Sequence, residues 1–321
     1  MSRDSGTWIH YLSIARPDHW VKHVFIVPGI VLALALAPTL AAGEILLNCV
    51  LGFVAACLIA SANYVINEWL DAEDDRNHPE KSARPSAAGL VQARFVYVEY
   101  ILLLLVGLAI AFSVNFVFAV VALAFAVSGV TYNVPPFRTK DRVYLDVISE
   151  AVNNPIRLVM GWAMVSSSTI PPLSLVIAYW AGGAFLMAAK RLSEFRFIVQ
   201  ERGAEAPGLY RRSFNFYSVE SLTISCLTYA LASAFGLAVF LIKYRAEFIF
   251  VFPVIIVLFA YYLHLGFQPA SVAQKPEHLH RDWRLMAIVG VLVVSAIACT
   301  FIDIPLIERV IQSRFVTLKS E

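Results

Sequence analysis

Residues 45–76 read ILLNCVLGFVAACLIASANYVINEWLDAEDDR, an apolar run over 45–66 that breaks into a dense acidic segment. A helix needs about 20 mainly apolar residues to cross the hydrocarbon core of a bilayer, and this run is long enough. The same reading applied outward finds further spans at 22–42, 95–113, 115–132, 145–165, 172–190, 219–241, 246–266 and 285–302. The third and fourth spans are separated only by a polar break at Ser113 and Asn115. Nine spans are expected, with eight or ten compatible with the same pattern.

Composition points the same way. The 321 residues are 59% hydrophobic and 15% charged, and the mean hydropathy is +0.70, whereas soluble domains have about 45–50% apolar and ~25% charged residues. The expected fold is an all-α polytopic membrane protein of about nine transmembrane helices, one catalytic domain over residues 1–321. Within it, two structural halves (about 1–143 and 144–302) are expected, followed by a C-terminal tail, 303–321. A weak internal echo suggests the halves: spans one and two lead into the acidic segment 67–75, and spans three and four into another at 146–150.

The net charge of +2 is too small to suggest nucleic acid as a partner; the expected surroundings are membrane lipids. Cys49, Cys57, Cys226 and Cys299 all lie in apolar stretches without a paired spacing and read as small core hydrophobes. Residues 1–20 lack the pattern of a cleaved signal peptide, so the first span is expected to be retained. The N-terminus and the connections 67–94, 133–144, 190–218 and 267–284 hold most of the Lys and Arg residues. The opposite connections hold Lys243 and Arg245, with Arg309, Arg314 and Lys319 in the tail. By the positive-inside rule the first set faces the cytoplasm. This predicts an integral protein of a bacterial inner membrane, with the N-terminus and the acidic segments cytoplasmic and the C-terminus outside.

The acidic segments carry the chemistry. If the second span continues as a helix, Asn67, Asp71 and Asp75 recur every four residues on one face with Glu68 beside them. Asp146 and Glu150 are likewise four apart, with Asn154 a turn further. Like charges stacked in this way repel, and a bound divalent cation turns that repulsion into attraction. Oxygen donors without Cys or clustered His favour Mg²⁺ or Ca²⁺ over zinc. Mg²⁺ is the expected cofactor, since it commonly combines one or two carboxylates with substrate phosphates. The plain alternative is a solvated loop with helix-capping acids, but acids flanking membrane spans are functional by default.

Cations surround these acids in sequence. Arg76, His78, Lys81 and Arg84 follow the first segment, and Arg138, Lys140 and Arg142 precede the second. Groups of this kind beside a metal hold phosphates and a departing pyrophosphate, although charges at span ends also serve to orient a membrane protein. Arg157 lies inside an apolar span, where an arginine is costly without a partner or a function. Lys190, Arg191 and Glu194 close the sixth span. His19, His23, His278 and His280 lack a third ligand at metal spacing and read as surface groups. No G-x-x-x-x-G-K-[ST], G-x-G-x-x-G or G-x-S-x-G occurs, which removes support for nucleotide hydrolysis, dinucleotide binding and serine hydrolysis.

With these residues in place, the chain resembles the UbiA-type intramembrane prenyltransferase superfamily over nearly its full length. The N-D-x-x-D-x-x-x-D signature of that family is matched by Asn67, Glu68, Asp71 and Asp75, with Glu68 in place of the first Asp. The second signature, a Tyr followed by basic residues and an acidic helix, is matched by Tyr132, Lys140, Asp146 and Glu150. ARPDHWVKHVFIVPG and HPEKSARPSAAG, together with Arg157 and the Lys190–Arg191–Glu194 group, resemble the decaprenyl-phosphate phosphoribosyltransferase branch. YNVPPFRTK is closer to relatives that use prenyl diphosphates.

The resemblance implies a UbiA-type bundle in which Mg²⁺ is held by Asn67, Glu68, Asp71, Asp75, Asp146 and Glu150. Asp71, Asp75 and Asp146 would be catalytic. Lys22, Asn67, Arg76, Lys81, Arg84, Tyr132, Lys140, Arg157, Lys190 and Arg191 would bind substrate. The implied partners are a polyprenyl lipid and a pyrophosphate-bearing donor. The leading expectation is transfer of 5-phosphoribose from phosphoribosyl pyrophosphate to a polyprenyl phosphate. The alternative is transfer of a polyprenyl group from its diphosphate to an aromatic acceptor. An ion-coupled transporter is a remote third, because its acids would lie at mid-span between broken helices.

Overall fold

A computed structural model describes residues 8–76, 81–244, 246–268, 272–274, 276–305 and 307. Every regular element among the described residues is helical. Seven helical segments are long and apolar enough to cross a membrane: Trp8–Leu36, Ala42–Leu70, Ala93–Val114, Phe116–Asn133, Leu173–Arg202, Val219–Leu241 and Trp283–Phe301. The chain is therefore an all-helical integral membrane protein, as its composition requires.

The first segment is composite: α1 (Trp8–Ile14), a 3-10 stretch (Pro17–Ile26) and α2 (Val27–Leu36). It is followed by α3 (Ala42–Leu70), the short α4 (Ala72–Asp75), α5 (Ala93–Val114) and α6 (Phe116–Asn133). The polar break expected between the third and fourth spans is real. Asn115 is extended, and its side-chain oxygen accepts the Phe118 amide at 2.8 Å, an N-cap that starts α6.

The expected span 145–165 is two helices, α7 (Leu145–Ala151) and α8 (Asn153–Val165). Pro155 explains the break: it has no amide proton for the Ala151 carbonyl, and its ring crowds that carbonyl. The expected span 246–266 becomes a 3-10 turn, Ala246–Phe250, and a shorter apolar helix. Among the described residues seven of the expected nine spans are long, apolar helical segments, and the other two are a bent pair, α7 and α8, and a shorter apolar helix.

The second half continues with α9 (Leu173–Arg202), α10 (Ala206–Tyr210), α11 (Val219–Tyr244), α12 (Phe252–Phe267) and α13 (Trp283–Phe301). α9 runs three turns beyond its expected end at 190, because its polar extension packs against α7 and α10. The expected C-terminal tail lies almost wholly outside the described residues. None of the four cysteines forms a disulfide among the described residues, and Cys226 and Cys299 are buried among apolar side chains.

Two buried clusters organise the bundle. One joins α3, α5, α6 and α8 through Ala55, Ile59, Phe118, Phe125, Met160 and Met164. The other joins α7, α9, α11 and α12 through Val147, Phe185, Ala188, Cys226, Tyr262 and Leu265. α8 seats itself against α2 backbone to backbone. A Cβ on Gly29 would lie 2.0 Å from the Leu158 carbonyl oxygen, and one on Gly161 would lie 2.1 Å from that of Ile26. Small residues at such crossings let membrane helices approach closely, and this crossing carries Arg157 into the centre of the bundle.

Candidate active site

The acidic end of α3 keeps its helical register past Leu70. The Asp71 amide donates to Asn67 O at 3.0 Å and the Asp75 amide to Asp71 O at 2.8 Å, so Asn67, Asp71 and Asp75 share one face as their spacing predicts. Asn67 Nδ2 donates to Asn133 Oδ1 at the end of α6. Asp71 Oδ1 accepts from Arg138 Nη2 at 2.9 Å and from Lys140 Nζ. Asp75 accepts from Arg84 Nη1 at 2.5 Å and pairs with Lys81 Nζ at 3.8 Å. Glu68 is buried, 3.8 Å from Arg16 and 3.5 Å from the Ser86 amide.

The cations between the two acidic segments separate into two kinds. Arg138, in a left-handed conformation (φ 33°), reaches Asp71, Asp74 at 3.3 Å and Asp141 at 2.7 Å. Lys140 is buried against Asp71 and Asn133. Arg142 instead donates to the Pro136 carbonyl at 3.0 Å in an exposed position. Arg76 is exposed and joins no ion pair among the described residues. His78 lies outside the described residues, as does the side chain of His278. Burial pushes the Lys81 ammonium down to about 8, against the opposing pull of Asp75.

The second acidic pair is gathered by one arginine. Arg191, 1% exposed, donates Nε to Asp146 at 3.3 Å, Nη2 to Glu150 at 2.8 Å and Nη1 to Glu194 at 3.0 Å. Lys190 lies 3.8 Å from Glu194. Tyr132 Oη donates to Glu150 at 2.9 Å. Asp146 is wholly enclosed: it also accepts from Tyr217 Oη at 2.7 Å and Ser213 Oγ at 3.2 Å, with Arg211 at 3.7 Å. Burial, then Asp146, hold the Tyr217 phenol above its ordinary range. Arg211, Ser213 and Tyr217 carry no spacing signal in the sequence, and they enter only because the connection between α9 and α11 folds over α7.

The two clusters face one another. Lys81 feels both Arg211 and Glu194, Arg212 lies 3.3 Å from Asp74, and Thr139 shares a 2.8 Å hydrogen bond with Ser149. Deeper in the bundle, Arg157 lies over the Phe125 ring at 5.1 Å, and His23 packs edge-on against the same ring at 6.4 Å. His23 is 3% exposed, which corrects its reading as a surface group: the 3-10 stretch turns it inward. Lys22 approaches His19 at 3.1 Å and the Tyr64 ring at 5.7 Å.

The model of the UbiA prenyltransferase family matches residues 24–278. The chain belongs to that family. Among curated proteins it is 28% identical over 207 residues to decaprenyl-phosphate phosphoribosyltransferase of Mycolicibacterium smegmatis, covering 64% of this chain and 62% of the relative. The Mycobacterium tuberculosis protein of the same name is 29% identical over 189 residues, with 59% and 61% covered. The chain thus spans about three fifths of the length of these relatives. Nodulation protein NoeC of Azorhizobium caulinodans is 27% identical over 236 residues, 72% of this chain and 71% of that protein. In structure, the chain resembles a UbiA homologue of Archaeoglobus fulgidus bound to GPP and Mg²⁺. The TM-score is 0.68 at 20% identity, covering 91% of this chain and all of that one.

The donor chemistry of this UbiA chain fits a hard cation completed by substrate oxygens. Among the described residues, no three His, Cys, Asp or Glu side chains lie close enough to hold an ion by themselves. Asn67, Asp71 and Asp75 nevertheless present oxygens on one face, and one or two carboxylates suffice when phosphates supply the remaining ligands. Asp71 and Asp75 pair with the long side chains of Arg138, Lys140, Arg84 and Lys81, whereas Asp146 is enclosed by Arg191, Arg211, Ser213 and Tyr217.

Proposed function

We propose that this chain is a Mg²⁺-dependent transferase moving 5-phosphoribose from phosphoribosyl pyrophosphate to a polyprenyl phosphate, with pyrophosphate as leaving group. The carrying observation is the pair of facing charged clusters, in which four cations from two connections converge on Asp71 and Asp75. The names of the mycobacterial relatives supply the choice of donor. When bound, Mg²⁺ neutralises the diphosphate and stabilises the charge that develops on the leaving group.

Asn67, Asp71 and Asp75 would hold the ion, and Lys81, Arg84, Arg138 and Lys140 would grip the diphosphate oxygens once released from the acids. Glu68, pinned by Arg16 and Ser86, fixes the connection after α4 and so the placement of Arg84. Asp146 and Glu150 hold Arg191 in place, and through the fold of the α9–α11 connection they set the opposite wall. In the reaction an oxygen of the lipid phosphate forms a bond to the anomeric carbon. The bond from that carbon to pyrophosphate breaks, its electron pair leaves with pyrophosphate, and the leaving group gains one negative charge. Positive charge developing on the ring carbon and oxygen resembles that of glycosyl transfer.

The second reading, prenyl transfer to an aromatic acceptor, draws on the structural neighbour that binds GPP and Mg²⁺. Pyrophosphate release from purified protein in lipid separates the two. We expect release from phosphoribosyl pyrophosphate that depends on added polyprenyl phosphate and Mg²⁺. Release only from a prenyl diphosphate with an aromatic acid would replace the first reading with the second. By the positive-inside argument, the diphosphate clusters and the N-terminus lie on the cytoplasmic side of a bacterial inner membrane.

A further inference from the structure

The enclosed and half-buried acids around the diphosphate clusters are paired with cations. Glu68 has Arg16, Asp71 has Arg138 and Lys140, Asp75 has Arg84 and Lys81, and Arg191 gathers Asp146, Glu150 and Glu194. Arg157 breaks this pattern. It is 7% exposed, and among the described residues no carboxylate lies within ion-pair distance of it. Its Nη1 makes one long bond, 3.4 Å, to the Asn153 carbonyl, and its Nε is buried without a hydrogen-bond partner. His23 Nδ1 is likewise buried without a partner. Native proteins rarely leave such groups unsatisfied, because each costs free energy.

The surroundings are polar where an apolar core would be expected. Tyr64 and Tyr179 lie within electrostatic reach of Arg157, and Lys190 within reach of Lys22. The Glu150 carboxylate, the nearby acid that acts on Arg157, is already taken by Arg191 and Tyr132. Positive charge is therefore left over in the middle of the bundle. Tyr64 precedes Asp71 by seven residues along the continuous helix α3, about 10 Å at 1.5 Å per residue. Arg157 acts on Tyr64, so the uncompensated arginine lies on the bundle side of the diphosphate clusters.

We propose that Arg157 and His23, with Lys22 and Lys190 at the margin, form a second anion site that binds a phosphate monoester separately from the diphosphate. This rests on the phosphoribosyl reading, whose substrates bring two such monoesters, the lipid phosphate and the 5-phosphate of the donor. A guanidinium fork suits a phosphate. Prenyl transfer to an aromatic acid offers only a carboxylate for this position.

The test is calorimetric titration of the full chain in lipid nanodiscs with geranyl phosphate, ribose 5-phosphate, 4-hydroxybenzoate and Mg²⁺–pyrophosphate. At least one monoester is expected to bind wild type in the presence of saturating Mg²⁺–pyrophosphate. Arg157→Gln should weaken that monoester about tenfold or more, the loss of a charge-assisted contact, and leave Mg²⁺–pyrophosphate affinity unchanged. Loss confined to geranyl phosphate assigns the site to the lipid, and loss confined to ribose 5-phosphate assigns it to the donor. Arg157→Lys should recover part of the affinity.

The thermal midpoint of unliganded Arg157→Gln should equal or exceed that of wild type, because an unpaired buried charge is removed; a purely structural arginine would lower it. Three results would each overturn the site: unchanged monoester affinities in Arg157→Gln, displacement of both monoesters by Mg²⁺–pyrophosphate, or loss of 4-hydroxybenzoate binding alone. Monoester binding through Arg157 without ribosyl turnover would leave the site standing and sink the phosphoribosyl reading. Turnover with unaltered Arg157→Gln binding would do the reverse.

Discussion

Arg138 and Arg142 are four residues apart, and either could be read from sequence as a phosphate ligand or as a charge that orients the chain. The structure separates them: Arg138 touches Asp71 and Asp74, whereas among the described residues Arg142 meets only a carbonyl. Arg138→Gln is expected to lower kcat by roughly 10²–10³, the cost of removing one donor to a developing anion. Arg142→Gln should turn over like wild type; equal losses in the two variants would refute the assignment. Arg191 is expected to matter for stability as well. Arg191→Met leaves Asp146, Glu150 and Glu194 facing one another, and breaking a buried pair costs about 3–5 kcal/mol, readable as a fall in the unfolding midpoint in detergent. The period of four through Asn67, Asp71 and Asp75 was legible because a continuing helix fixes that face. Arg211, Ser213 and Tyr217 were not, since a loop residue finds Asp146 only through tertiary docking.

Among elements, the crossing of α2 and α8 is the most demanding. Gly29 and Gly161 each stand where a Cβ would meet backbone, which cannot yield as a side-chain tip can. Gly161→Ala should destabilise by about 1–3 kcal/mol through overpacking. Gly290→Ala, on α13 with nothing within 4 Å of the added atom, should be neutral. Equal midpoints for the two variants in thermal unfolding would contradict this packing. Hydrophobic runs located α3, α5, α6, α11 and α13 to within about a turn, because lipid demands both length and apolarity, but they missed the start of the first segment at Trp8, fourteen residues before the expected 22. They did not reveal the break at Val152, where Pro155 acts on a carbonyl four residues back, nor the polar extension of α9, which is stabilised by packing against α7 and α10 and not by lipid.

For the whole molecule, the basic connections and both acidic clusters occupy one end of the bundle, which ties orientation to function. With the protein oriented as proposed, an impermeant maleimide should label Arg142→Cys, in a background lacking the four native cysteines, only in inside-out membrane vesicles. Labelling in right-side-out vesicles would reverse the topology. A metal completed by substrate phosphates predicts that EDTA abolishes turnover and that Mg²⁺ restores it, since no described group of acids forms a cage of its own. The family was legible in the two acidic signatures and their order. The choice of donor was not, because both branches use one scheme for expelling pyrophosphate.

That choice is the central claim, and the mass of the lipid product tests it most directly. Purified protein in lipid, given Mg²⁺, phosphoribosyl pyrophosphate, a polyprenyl phosphate, a prenyl diphosphate and an aromatic acid together, should yield the polyprenyl phosphate heavier by one phosphoribosyl unit. A prenylated aromatic acid as the sole product would contradict the account.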